Sequence, residues 1–189
     1  MLTGITTYEI ICQAIGIIAA IISLISYQFK KNKSYLILQA AASAIFTIQF
    51  GMLNAWAAML LNGICFLRAI VFAFVKFKNK NSNLIVCIII SLLNISCALI
   101  AALVFKELWY IALIIGLAQV AGTIAIYTDN PKVIRWVQLC FVSPCWLFNN
   151  IFYLSIGGII TESCNIVSVI ISLIRIKLDE NKEKVKTKE

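Results

Sequence analysis

Two ionised side chains stand where the surrounding residues are almost wholly apolar. Arg68 lies in AAMLLNGICFLRAIVFAFVK, residues 57 to 76, and Glu162 is the one acidic residue clearly inside an apolar run. A charge in such surroundings is costly, so it is retained for a solute pathway, a proton relay or a structural partner. Polar groups gather near both. Thr161, Asn165, Ser168 and Ser172 recur at intervals of four, three and four residues, which places them on one helical face with Glu162 at its margin. In span six, SPCWLFNNIFY combines Pro144, a flat Trp146 and the amides of Asn149 and Asn150. Those residues suit a bent helix lining a pocket, or else a kink with interhelical hydrogen bonds. Bond-making chemistry has few candidates: there is no histidine, no nucleophile beside a base, no glycine-rich phosphate loop and no carboxylate pair. The chain is expected not to be an enzyme and to need no cofactor, and its seven cysteines lack a metal-ligand spacing.

The elements that hold these residues are set by composition. Hydrophobic residues make up 62% of the 189 and charged residues 13%, with a mean hydropathy of +0.97, far from a soluble domain. Runs of about 20 apolar residues, without period-two alternation, predict helices that each cross a hydrocarbon core of about 30 Å. Seven spans are expected, at 8 to 28, 34 to 53, 55 to 76, 83 to 105, 109 to 127, 132 to 153 and 157 to 176. Between them lie polar breaks, including Gly51 to Asn54, Asp129 to Pro131 and Gly157 with Gly158. The first run has no basic residue before it and is of full span length, so it is expected to stay in the mature protein. Residues 178 to 189 form a charged cytoplasmic tail.

Charge placement orients this bundle. With seven spans and the N-terminus outside, Lys30, Lys31, Lys33, Lys76, Lys78 and Lys80 fall on the cytoplasmic side. The basic residues from Lys132 onward join them, which leaves Lys106 outside. The net charge of +8 is thereby explained by topology and anionic lipid headgroups, so nucleic acid is not an expected partner. The lipid bilayer and a small polar solute are; a homo-oligomer is allowed but not required.

The chain also repeats. At an offset of 100 residues Gly16 meets Gly116, Tyr27 meets Tyr127, Ser23 meets Thr123, Gln49 meets Asn149 and Asn62 meets Glu162. Two three-helix units, 8 to 77 and 109 to 177, are joined by a linker helix at 83 to 105, which restores the second unit to the orientation of the first. This is a 3+1+3 parallel repeat about an axis along the membrane normal. In that frame Leu61, Cys65, Arg68 and Phe72 mirror the polar face of span seven, with Asn62 opposite Glu162. Arg68 then borders a central space, is held structurally by backbone carbonyls or by Glu162 across about 9 Å of axial offset, or snorkels to headgroups about 12 Å away. Candidate solute-binding residues are Asn62, Arg68, Glu162 and Asn165, with Trp146, Asn149 and Gln49 beside them.

Two stretches, SYQFKKNKSYLILQ leading into MLLNGICFLRAIVF, and DNPKVIRWVQLCFVSPCWLFNNIFYLSIGGIITE, resemble the YgjV-type bacterial inner-membrane protein family over residues 8 to 177. That family is similar in fold to the SWEET, PQ-loop and MtN3 superfamily. The resemblance implies a bacterial cytoplasmic membrane location. It further implies a SWEET-like facilitator, with an asparagine on the third and on the seventh helix facing one pocket. Asn62 matches the first and Glu162 departs from the second; of the prolines that bend such helices only Pro131 and Pro144 are present. The expected function is transport of a small polar solute by alternating access between the units. The alternative is a membrane receptor of the same fold that does not transport.

Overall fold

The computed structural model describes residues 6–26, 29, 32–74, 80–128 and 130–186. Tyr27, Lys30, Lys31, Lys76, Lys78 and Asp129, invoked above, lie outside these, as do the side chains of Tyr35, Ser172, Arg175 and Lys177. The described residues form helices α1 (Thr7–Ser26), α2 (Asn32–Met52), α3 (Trp56–Phe74), α4 (Lys80–Leu103) and α5 (Trp109–Tyr127). They continue with α6 (Pro131–Val137), a π-helical turn (Gln138–Val142), α7 (Ser143–Phe152) and α8 (Ile156–Lys186). Because α6, the π turn and α7 run on without a break, the rods number seven among the described residues.

Local chemistry explains where the helices begin. Thr6 and Glu9 form a capping box at α1: the Thr6 amide and hydroxyl donate to Glu9 Oε2 at 2.8 and 2.9 Å, and the Glu9 amide returns a bond to Thr6 Oγ1. Asn130 accepts from the Lys132 amide, with Pro131 in the first turn of α6 where a missing N–H costs nothing. Pro144 is the second residue after the π turn. A proline within a rod leaves one carbonyl without its amide, and a widened turn is one way to absorb that defect.

The exterior and interior are inverted relative to a water-soluble protein. Ile11, Ile18, Ile21, Ile85, Ile89 and Leu92 are among many exposed aliphatic residues, while Ser26, Gln49, Asn94, Ser143, Asn149 and Ser155 are fully buried. Apolar surface facing outward is what a lipid solvent selects, since burial of such groups gains little there. Four helices are long and apolar enough to cross a membrane: α1, α3, Leu84–Leu103 within α4, and α5; the apolar parts of α2 and α8 are Leu36–Met52 and Ile156–Ile171. Small residues let the helices approach closely. Ala19, Ala20, Ala57, Ala58 and Ala112 surround Leu61, Ile115 and Trp146 in one core.

Contacts between neighbours trace a ring. α1 touches α2 and α8, α2 touches α3, α3 touches α5, and α5 touches the α6–α7 rod, which returns to α8. α4 stands beside this ring against α3 and α5.

The expected break at Gly157 and Gly158 differs in the structure. Gly157 and Gly158 belong to the first turn of α8, and the break before them is at Tyr153 to Ser155. The glycines serve close packing instead: a Cβ on Gly157 would strike the Gly16 carbonyl of α1, and one on Gly158 would strike the Asn150 side chain. The charged segment after residue 177 continues the last helix, as α8 runs unbroken to Lys186.

The turns joining α2 to α3 and α7 to α8 are copies of one another. Asn54 has φ 56° and Leu154 has φ 52°, left-handed values unusual for residues with a side chain. In the first turn the Leu53 amide donates to Gln49 O, Asn54 to Gly51 O and Ala55 to Phe50 O. In the second, Tyr153 donates to Asn149 O, Leu154 to Ile151 O and Ser155 to Asn150 O. Donor and acceptor correspond at a separation of 100 residues in all three pairs.

Candidate functional site

A cavity of ≈ 570 Å³ opens inside the ring, within the range of about 300–1,000 Å³ common for small-molecule sites. Every rod of the ring lines it and α4 does not. Its polar lining begins with the charges, Arg68 from α3 and Glu162 from α8. Amides join them from five rods: Gln39 from α2, Asn62 from α3, Gln119 from α5, Gln138 with Asn150 from the α6–α7 rod, and Asn165 from α8. Phe46, Phe50 and Trp146 form an apolar wall, with Phe46 stacked on Phe50 at 5.9 Å and Phe50 tilted to Trp146 at 6.1 Å between ring centres.

Five of the seven nominated residues, Asn62, Arg68, Trp146, Glu162 and Asn165, line this cavity. Gln49 and Asn149 do not. Both are fully buried, one helical position away from the lining residues Phe50 and Asn150 and so turned by about 100°. Gln49 is seated against Gly16, where a Cβ would come within 2.6 Å of its Oε1. That oxygen accepts from the Ser155 hydroxyl at 3.1 Å, and Ser155 in turn accepts from the Gly158 amide at the start of α8. Ser168, expected on the polar face of span seven, is exposed and does not line the cavity.

The charged groups are held separately. Arg68 Nη1 donates to Thr123 Oγ1 of α5 at 3.1 Å and Nη2 to Cys65 Sγ at 3.7 Å; Thr123 passes its own proton to Gln119 O. Arg68 borders the cavity and is bonded to the neighbouring rod α5 through Thr123, not to Glu162. The Glu162 carboxylate accepts from Asn165 Nδ2 at 3.4 Å, with Ser143 beside it. Asn62 Nδ2 donates one of its two N–H bonds to Ala58 O at 3.0 Å, and Asn150 Oδ1, buried against Gly158 of α8, has no partner among the described residues.

Gln39, Gln119 and Gln138 escaped the sequence reading. Gln39 and Gln138 carried a signal, since they correspond at a separation of 99 residues, not 100. The π turn accounts for the difference. It accommodates about one extra residue per turn, so the lining of the α6–α7 rod recurs at Ile134, Gln138, Val142, Trp146 and Asn150, while that of α2 recurs at Leu36, Gln39, Ser43, Phe46 and Phe50. The two amides also share a habit: each donates to a serine, Gln39 to Ser26 at 2.7 Å and Gln138 to Ser143 at 2.8 Å.

Outside the cavity, one polar knot ties the units together. Glu107, between α4 and α5, accepts from the Ala57 amide at the start of α3 at 2.7 Å and from the Tyr153 hydroxyl of the second turn. Gln13 of α1 makes the matching clasp, donating to Leu154 O at 2.7 Å and accepting from the Ile156 amide at 3.0 Å.

A lipid-facing helical ring around a polar cavity defines a multi-pass integral membrane protein. The model of the Imp-YgjV family, described as bacterial inner membrane proteins, matches residues 10–180. The chain belongs to that family and is a protein of the bacterial inner membrane. No match is found among curated proteins or solved structures.

Proposed function

We propose that the protein is a carrier of a small polar solute, working by alternating access between a unit of α1–α3 and a unit of α5–α8 in a SWEET-like 3+1+3 arrangement. The N-terminus is outside, the C-terminus is cytoplasmic, and α4 serves as the linker that keeps the two units parallel. One observation carries this reading: a cavity lined by all six non-linker rods, into which opposite units contribute Arg68 and Glu162 without pairing them. The duplicated turns support the repeat. So do the lining positions, since residues 46 and 146, 50 and 150, 62 and 162, and 65 and 165 all border the cavity. The lysine distribution supports the orientation. Amides, one cation, one anion and an aromatic wall are equipment for recognition and passage, so the reading excludes catalysis.

Uptake into proteoliposomes loaded against a broad metabolite mixture tests it. Saturable uptake is expected for the wild type and a loss of about tenfold or more for Glu162→Gln and Arg68→Ala. Uptake equal to that of protein-free vesicles for every compound refutes transport, and ligand binding without flux makes the protein a receptor of the same fold.

A further inference from the structure

We infer that the cavity takes a zwitterionic α-amino acid with an uncharged side chain, its ammonium toward Glu162 and its carboxylate toward Arg68. This names the solute class of the carrier proposed above and rests on that reading of the cavity.

The polarity of the lining is ordered along the ring axis. On the side of the two copied turns the cavity is bordered by the Glu162 carboxylate and by Asn62, which gives one of its two amide N–H bonds to Ala58 O. Carboxylate and amide oxygens accept the N–H donors of an ammonium group. Deeper in, the cavity's cation is Arg68, held by Thr123 and Cys65 through one bond from each terminal nitrogen. A guanidinium carries five N–H donors, so several stay free to grip a carboxylate.

The spacing fits the same solute. Residues 62 and 162 are equivalent in the two units, so Arg68 lies six helical positions deeper than Glu162, roughly 9 Å along the axis. An α-amino acid bridging the two needs a hydrogen bond of about 2.8 Å at each end. A neutral polyol would leave a desolvated cation and anion each without a counter-charge, a poor exchange for the water it displaces. A solute with one net charge would satisfy one of them. The side chain of the amino acid meets the wall of Phe46, Phe50 and Trp146, which has no third charge to offer a charged group.

Ligand-dependent thermal stability of the purified full chain in detergent tests the class, using L-alanine, L-serine and L-glutamine against N-acetyl-L-alanine, L-alanine methyl ester and mannitol. The amino acids are expected to raise the melting temperature, with the two singly charged derivatives and mannitol at least about tenfold weaker. In Glu162→Gln the affinity for L-alanine is expected to drop about tenfold while that for N-acetyl-L-alanine is unchanged. Binding of mannitol or of either derivative as tight as that of the amino acids overturns the inference, as does an absence of amino-acid binding. If Glu162→Gln fails to fold, the wild-type panel alone decides. Amino-acid binding without uptake in proteoliposomes would leave the inference standing and remove the carrier; mannitol uptake without amino-acid binding would do the reverse.

Discussion

Substituting Gly157 by alanine should damage the protein more than its size suggests. The added Cβ would sit 2.8 Å from the Ile17 nitrogen and closer still to the Gly16 carbonyl oxygen, whereas ordinary contact begins at about 3.4 Å. Both obstacles are backbone, so no rotamer change relieves them, and α1 and α8 must part by at least 0.6 Å (3.4 − 2.8). Interfaces packed at crystal density respond to such insertions with a loss of about 1–3 kcal/mol. Separation of α1 from α8 also pulls Gln13 from the Leu154–Ile156 turn, which argues for the upper part of that range. Gly63 provides the control, because a Cβ there meets nothing within 4 Å and alanine in a helix is favoured over glycine by about 0.5–1 kcal/mol. The helix preference applies to both substitutions, so equilibrium unfolding of the two variants in mixed detergent micelles should differ by the packing cost alone, about 2–3 kcal/mol, with Gly157→Ala the weaker. Equal unfolding midpoints for the pair would refute the backbone contact on which this reasoning stands.

Other perturbations follow from the same contacts. Glu107→Gln and Tyr153→Phe should each cost about 1–2 kcal/mol in that unfolding assay, and the double variant should cost less than their sum, since both break one knot. In a cysteine-free background, Asn62→Cys and Asn165→Cys should react with a small water-soluble thiol reagent and Gln49→Cys should not, because the first two border the cavity and the third faces Gly16; labelling of Gln49→Cys with the others blocked would reverse that assignment. Thr123→Val should lower solute affinity about as strongly as a lost hydrogen bond to a charged group, roughly tenfold, by freeing Arg68 from α5; isothermal titration showing unchanged affinity would contradict the anchor.

Helix positions were legible in the sequence because hydrocarbon solvent imposes a single period and length on every rod. Side-chain direction was not, and that is where the reading slipped. Gln49 and Asn149 were nominated by residue type, yet a single step along the helix turns each away from the cavity that Phe50 and Asn150 border. Gly157 and Gly158 were read as a break because glycine serves turns and close helix contacts alike; composition does not distinguish the two. Gln138 escaped because the repeat was sought at one fixed offset, and a π turn changes the offset part-way along a rod. Asn62 and Glu162, 100 residues apart in the sequence, both border the cavity.

The widened turn at Gln138–Val142 has a lasting effect on how the halves of this molecule compare. From Ser143 to the α7–α8 turn, the second half keeps step with the first. Before the widened turn α6 is out of phase with α2 by a residue, so Gln39 and Gln138 line the cavity at a separation of 99 where Phe46 and Trp146 do so at 100. The ring is therefore nearly two-fold in its lining beside the α7–α8 turn and lopsided along one pair of rods beyond it.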